Sequence, residues 1–250
     1  MSQYYNPKRG PAYNYGGSKW KLSRSKIDLY LDCPRCFYLD NKLGVKRPPG
    51  FPFALNSAVD ALLKKEFDIL REKGETHELI DRYGVDAKPV RHEQLDVWRE
   101  NFQGVQYYHQ PTGFQVSGAI DDLWINSRDE YIVVDYKSTS KNEEITELNK
   151  EWQEGYKRQM EVYQWLLRQN GYPVSNTGYF VYCNGLTNVE KFDAKLEFRI
   201  TLVGHEGDDS WIEPKLNEIK QVLDSEKVPP ADPDCDFCAY REAVDDIIKK

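Results

Sequence analysis

The sequence predicts an α/β fold: a central mixed sheet flanked by helices, with N- and C-terminal helical segments joined by a four-Cys metal centre. Three observations carry this expectation. Strand-like segments with period two run from about Val105 to Ser138, and helical runs with 3.6-residue spacing lie on both sides of them. Two Cys-x-x-Cys pairs, Cys33/Cys36 and Cys235/Cys238, sit near the two ends of the chain.

The elements follow in order. Residues 1–22 are rich in Gly, Pro and Tyr, lack periodicity and read as a flexible leader; residues 23–250 read as a single domain. "SRSKIDLYLDCPRCFYLD" places Ile27, Tyr30, Leu31 and Phe37 at helical spacings behind a capping serine. "KRPPGFPF" breaks the chain, and "LNSAVDALLKKEFDILREKG" is an amphipathic helix ending near Gly74. "VQYYHQ", "FQVSGAIDDLWIN" and "EYIVVDYKS", separated by turn residues, read as an antiparallel meander. Ser140 and Glu143 form a capping box ahead of a long helical region that Gly171 ends. "TGYFVYCN" and "EKFDAKLEFRITLV" return to strand character, "SWIEPKLNEIKQVLDSEK" is a last long helix, and a Pro-punctuated tail carries the second Cys pair.

Composition narrows the function classes. The 250 residues are 40% hydrophobic and 30% charged, with a net charge of -7 and mean hydropathy of -0.74, a globular rather than disordered or membrane composition. No apolar run approaches the roughly 18 residues of a membrane span. The N-terminus has neither a signal-peptide core nor a transit-peptide pattern, so the expected setting is cytoplasmic, with no membrane partner. The acidity argues against nucleic-acid binding by bulk electrostatics, but not against an enzyme whose carboxylates hold a metal.

The chemistry-bearing residues cluster in the strands. Asp121 ends one strand-like segment and Asp135-Tyr136-Lys137 ends the next, so a hairpin can bring both carboxylates to one edge. Two close carboxylates repel unless a hard divalent cation lies between them, and Mg²⁺ suits phosphoryl chemistry. Lys137 shares a strand face with Asp135 and can neutralise charge on a scissile phosphate. The plainer reading is a turn with a solvated lysine.

The ordered set Gly118-x-x-Asp121, Asp135-Tyr136-Lys137 and Gln159-x-x-x-Tyr163 resembles the PD-(D/E)XK nuclease superfamily, in particular its RecB-like branch. That branch holds RecB and AddB nuclease domains and the CRISPR-associated RecB-like exonucleases. The resemblance covers about Ser23 to Tyr240 and implies a restriction-endonuclease-like core and a Mg²⁺- or Mn²⁺-dependent deoxyribonuclease. Its expected substrates are DNA ends or single strands in repair, recombination or CRISPR-type processing, with a helicase or other DNA-processing protein as partner. It further implies that Asp121, Asp135 and the carbonyl of Tyr136 ligate the metal, that Lys137 is catalytic, and that Gln159 and Tyr163 hold the lysine and the DNA backbone. The branch's usual helix histidine is absent; Asn56 and Asp60 occupy its context, so Asp60 is either a substitute ligand or a solvated helix residue. A catalytically inactive DNA-binding or assembly module of the same fold is the alternative function.

Two Cys-x-x-Cys pairs can supply four thiolates to one centre, either Zn²⁺ or a [4Fe-4S] cluster. The resemblance favours the cluster, because iron-sulfur members of the branch bracket the core with one N-terminal and three C-terminal cysteines. Here the division is two and two. Cys183, mid-strand, reads as a small buried residue. Lys19, Lys21, Arg24 and Lys26 read as a solvated basic face.

Overall fold

The computed structural model describes residues 5–50 and 53–249. Strand β1 (Leu22–Ser23) leads into α1 (Arg24–Asp32) and α2 (Pro34–Asn41), two helices where one run was expected. Cys33 leaves helical geometry, with ψ 105°, because the proline after it restricts its backbone. Phe51 and Pro52 of the expected break lie outside the described residues. Helix α3 (Ala54–Lys73) stops at Gly74, which takes the left-handed conformation at φ 71°. The short elements α4 (Glu78–Arg82), β2 (Lys88–Pro89) and α5 (Leu95–Trp98) follow.

Strands β3 (Val105–His109), β4 (Phe114–Gly118), β5 (Asp122–Ile125) and β6 (Tyr131–Thr139) fill the strand run, but not as one meander. β1, β4 and β3 form one sheet, and β5 and β6 belong to another, so the chain changes sheet across Ala119–Asp121. Helix α6 (Glu154–Gln169) begins later than the expected Ser140 cap. Strands β7 (Thr177–Gly185) and β8 (Phe198–Glu206) explain the delay. Ser140 Oγ donates to the Gly185 carbonyl (3.0 Å), Lys141 N–H to Asn184 Oδ1 (2.7 Å), and Thr201 Oγ1 to the Ile145 carbonyl (2.8 Å). These bonds hold residues 140–145 against the sheet, where a helix would lose them. β8 likewise begins after the expected Glu190, because Asp193 and Ala194 are left-handed and turn the chain. Helices α7 (Ile212–Asp224) and α8 (Asp236–Ile248) complete the chain. Among the described residues no helix is long and apolar enough to cross a membrane.

The chain divides into two compact units. One is assembled from three segments, residues 1–51, 108–117 and 210–250. In it β1 pairs in parallel with β4, Leu22 opposite Val116. Helix α7 buries Ile212, Leu216, Ile219 and Leu223, spaced as one helical stripe. Tyr38 of α2 donates its hydroxyl to the Ser225 carbonyl at 2.9 Å. The expected leader has specific contacts: Tyr15 and Trp20 stand edge-on to Phe114, and Tyr15 Oη donates to Asp224 at 2.7 Å. Ring packing rather than a periodic element organises this stretch, so periodicity could not reveal it. Lys26 departs from the solvated-face reading: its ammonium lies 5.1 Å from the Trp20 ring centre and donates to the Lys21 carbonyl at 2.6 Å. Burial, helped by Arg9, lowers its pKa to about 8.

The other unit, residues 52–107 and 118–209, holds the sheet β2-β5-β6-β7-β8. β5 and β6 are antiparallel, with Asp122 opposite Val134; β6 and β7 are parallel, with Lys137 opposite Tyr182. Ile132, Val134 and Tyr136 of β6 pack with Val181 and Cys183 of β7 against Leu63 and Phe67 of α3. Strand alternation therefore sends Asp135 and Lys137 to the opposite face, where α6 lies. Gly178 permits that approach: a Cβ there would sit 2.4 Å from Met160 Sδ.

Candidate functional site

On the α6 side of β6, Gln159 donates from Nε2 to Asp135 Oδ1 at 2.8 Å and to Tyr163 Oη at 2.9 Å. Lys137 Nζ donates to Asp135 Oδ2 and, at 3.4 Å, to Gln159 Oε1. Residues 135 and 137 share a strand face, and 159 and 163 share a helix face, so spacing alone aligns all four. Asp135 is fully buried, and Tyr163 is nearly so. The Lys137 ammonium also lies 4.7 Å from the ring centre of Tyr156, a cation–π contact that confines it further. Gly118 makes room for this array, because a Cβ there would meet Tyr163 Cε1 at 2.7 Å.

Asp121 joins the same strand from β5's leading end: its Oδ2 accepts the Tyr136 backbone N–H at 3.0 Å. Its other oxygen faces Lys64 Nζ at 3.4 Å, and the same ammonium donates to Asp60 Oδ2 at 2.9 Å. Asp60, Tyr136 and Lys137 line one cleft of about 280 Å³ together with Asn56, Ser138 and Tyr156. Across it Asn56 donates to the Ser138 carbonyl at 2.9 Å.

The side chain of Tyr136 is buried. It stacks on Phe67, with centroids 5.7 Å apart, and donates to Asp122 Oδ2 at 2.8 Å. Burial, then the Asp122 carboxylate, raises its pKa well above 10.0. Asp122 is fully buried between Arg71 and Arg99, the latter at 2.7 Å, and also accepts Trp124 Nε1–H at 3.2 Å. Adjacent aspartates thus divide the work: Asp122 anchors the strand to α3, and Asp121 pairs with Lys64 and the Tyr136 N–H.

Lys64, Tyr156 and the Arg71–Asp122–Arg99 network were not anticipated. The one available signal was Lys64, four residues after Asp60 on a helix, the spacing of an ion pair. The donor type suits a hard divalent cation: Asp60, Asp121 and Asp135 offer only oxygen, and two ammonium groups offset part of their charge. Their carboxylate oxygens do not all fall within 4.8 Å of one another, so it is only on the resemblance that they, with the Tyr136 carbonyl, would hold such an ion together.

The second constellation lies in the three-segment unit. Cys33, Cys36, Cys235 and Cys238 are buried, and among the described residues they alone form a group of potential ligands whose donor atoms all lie within 4.8 Å of one another. Each pair uses the same local device: the first cysteine precedes a helix and the second lies in its first turn. Helix N-termini favour thiolates. Burial works against ionisation of Cys33, but hydrogen bonds from the backbone at Asp232 and Cys36 and from neighbouring thiols bring it to about 7. Burial pushes Cys36 up to about 12. Arg47 Nη2 donates to Cys235 Sγ at 3.2 Å, and Arg35 Nε donates to the Pro229 carbonyl at 3.3 Å. All four sulfurs are free of disulfides. Soft donors in this number suit a thiophilic metal. Cys183 is buried in β7, as expected, and burial raises it to about 12.

No protein of curated function matches the chain significantly. A solved structure titled "Crystal structure of SSO0001" is similar over 84% of this chain and 79% of its own, at 15% identity and a TM-score of 0.34, too slight a likeness to carry an argument. The model of the PD-(D/E)XK nuclease superfamily matches residues 21–243, a span that includes both constellations, and the chain belongs to that superfamily.

Proposed function

We propose that the protein is a Mg²⁺- or Mn²⁺-dependent deoxyribonuclease of the RecB-like branch, an exonuclease acting on DNA ends or single strands. The observation that carries this reading is the hydrogen-bonded set Asp135, Lys137 and Gln159 beside a cleft that Asp60 also lines. When bound, the divalent ion supplies electrophilic activation of the phosphate and of the attacking water. The chain's own part is positional and electrostatic. Lys137, confined by Asp135, Gln159 and the Tyr156 ring, neutralises the charge that develops on the phosphate oxygens. Asp60 keeps a carboxylate at the cleft, and Asp121, fixed by the Tyr136 N–H, is tied to it through Lys64. In hydrolysis the water oxygen bonds to phosphorus and the sugar oxygen leaves as an alcohol. The site acts in the cytoplasm, with a helicase or another DNA-processing protein to present the strand.

Asp135→Ala and Lys137→Ala are each expected to abolish Mg²⁺-dependent cleavage of end-labelled linear DNA while circular dichroism stays unchanged. Cleavage that survives both substitutions overturns the assignment. Cutting of covalently closed circular DNA overturns the exonuclease part alone, and DNA binding without cleavage by any divalent ion favours the inactive-module reading.

A further inference from the structure

The four-cysteine centre has a size, and size separates the two cofactors that its donor chemistry allows. Cys36 Sγ lies 3.6 Å from Cys238 Sγ and 3.7 Å from Cys235 Sγ, and Cys33 Sγ lies 3.9 Å from Cys238 Sγ. All four sulfurs fall within 4.8 Å of one another. A single tetrahedral ion with metal–sulfur bonds of about 2.3 Å requires sulfur–sulfur edges of about 3.8 Å. In a [4Fe-4S] cluster each thiolate binds a different iron, and the cluster body between them holds neighbouring sulfurs about 6 Å apart. A [2Fe-2S] unit fails for the same reason, since its two thiolate pairs sit on separate irons. The cage therefore does not fit an iron-sulfur cluster.

We propose that Cys33, Cys36, Cys235 and Cys238 hold one Zn²⁺ ion as a closed structural site, in place of the cluster that the resemblance implies. A mononuclear ferrous ion would fit the same cage, but zinc outcompetes it at thiolate ligands. All four positions are taken by protein, as in structural rather than catalytic zinc sites. Four thiolates around a dication leave a net negative charge, and Arg47 answers it from 3.2 Å while its guanidinium lies 4.6 Å from the Phe237 ring. The two cysteine pairs lie 199 or more positions apart in the chain, so the ion ties the first segment of its unit to the last. Metal binding is then folding energy for that unit.

The test uses the full chain, expressed in medium containing both iron and zinc and purified without oxygen. Metal analysis is expected to find about one zinc per chain, with no acid-labile sulfide and no brown absorbance. Iron with stoichiometric sulfide, or a single iron without sulfide, overturns the proposal. If the chain is isolated without metal, titration of the reduced protein with Co²⁺ is expected to give the visible bands of a tetrahedral thiolate site, saturating at about one equivalent and displaced by Zn²⁺. Failure to bind, or saturation at a higher ratio, overturns it. Cys36→Ser is expected to lose the ion and Cys183→Ser to keep it; retention of zinc by Cys36→Ser counts against the four-thiolate cage. None of these readouts depends on nuclease activity.

Discussion

Gln159 donates a 2.8 Å hydrogen bond to the carboxylate of Asp135 and so fixes helix α6 to a fully buried acid of β6. Its amide oxygen meanwhile faces Lys137, so one planar group orients both an acid and a base. Gln159→Leu removes both contacts without removing either charge. The expected outcome is a 10–100-fold fall in kcat with little change in KM for DNA, as for other residues that orient a metal ligand. Gln159→Glu is expected not to rescue, because it places another carboxylate against Asp135. Wild-type kinetics in Gln159→Leu rules out this positioning role.

Lys64 bridges Asp60 and Asp121, where a divalent ion is expected to bind. An ammonium there competes with the metal. Lys64→Met is expected to lower the Mg²⁺ concentration for half-maximal cleavage about two- to fivefold, in keeping with partly exposed ion pairs worth up to about 1 kcal/mol. A titration of activity against Mg²⁺ checks this, and an unchanged or higher requirement excludes the competition.

The adjacent acids Asp121 and Asp122 are expected to fail in opposite ways. Asp122→Asn leaves Arg71 and Arg99 without their buried carboxylate and is expected to destabilise the fold by about 3–5 kcal/mol. Asp121→Asn breaks only half-exposed contacts, so it is expected to cost about 1 kcal/mol or less while eliminating cleavage. Urea denaturation and nuclease assay of the two variants side by side measure both effects. Equal stability losses refute the division of labour.

Lys26 provides a pH signature for the three-segment unit. Its folded pKa of about 8 lies below its unfolded value of 10.5, so between those limits the unfolded chain binds a proton that the folded chain does not. Stability from this residue therefore rises with pH across that window, and below pH 8 the cost of burying the charge is fully present. Relative to Lys26→Met, the wild-type protein is expected to gain on the order of 2 kcal/mol from pH 8 to 10.5. Parallel stability curves for the two proteins would falsify the shift.

Much of this was legible in the sequence because it is local. Gly74 ends α3 through its own backbone freedom, and 3.6-residue spacing put Gln159 and Tyr163 on one helix face. The cysteine pairs were legible for the same reason, since three-residue spacing at a helix start turns both sulfurs one way. What escaped depends on residues distant in the chain. Ser140 looked like a helix cap until Gly185, 45 positions later, accepted its hydroxyl. The buried partnership of Asp122 with Arg71 spans 51 positions, and no local pattern separates it from a solvated acid. The meander failed likewise, because pairing of β4 with β1 is decided by Leu22 and Val116, far apart in sequence.

The cysteine clasp also sets a timetable for the newly made chain. Cys36 and Cys235 are 199 positions apart, so at synthesis rates of about 5–20 residues per second the first thiols wait about 10–40 s for the second pair. During that interval the nascent chain carries Cys33 and Cys36 without the partners that complete their cage. They are then open to oxidation and to capture by other thiols, a hazard that ends when the ribosome has delivered the last segment.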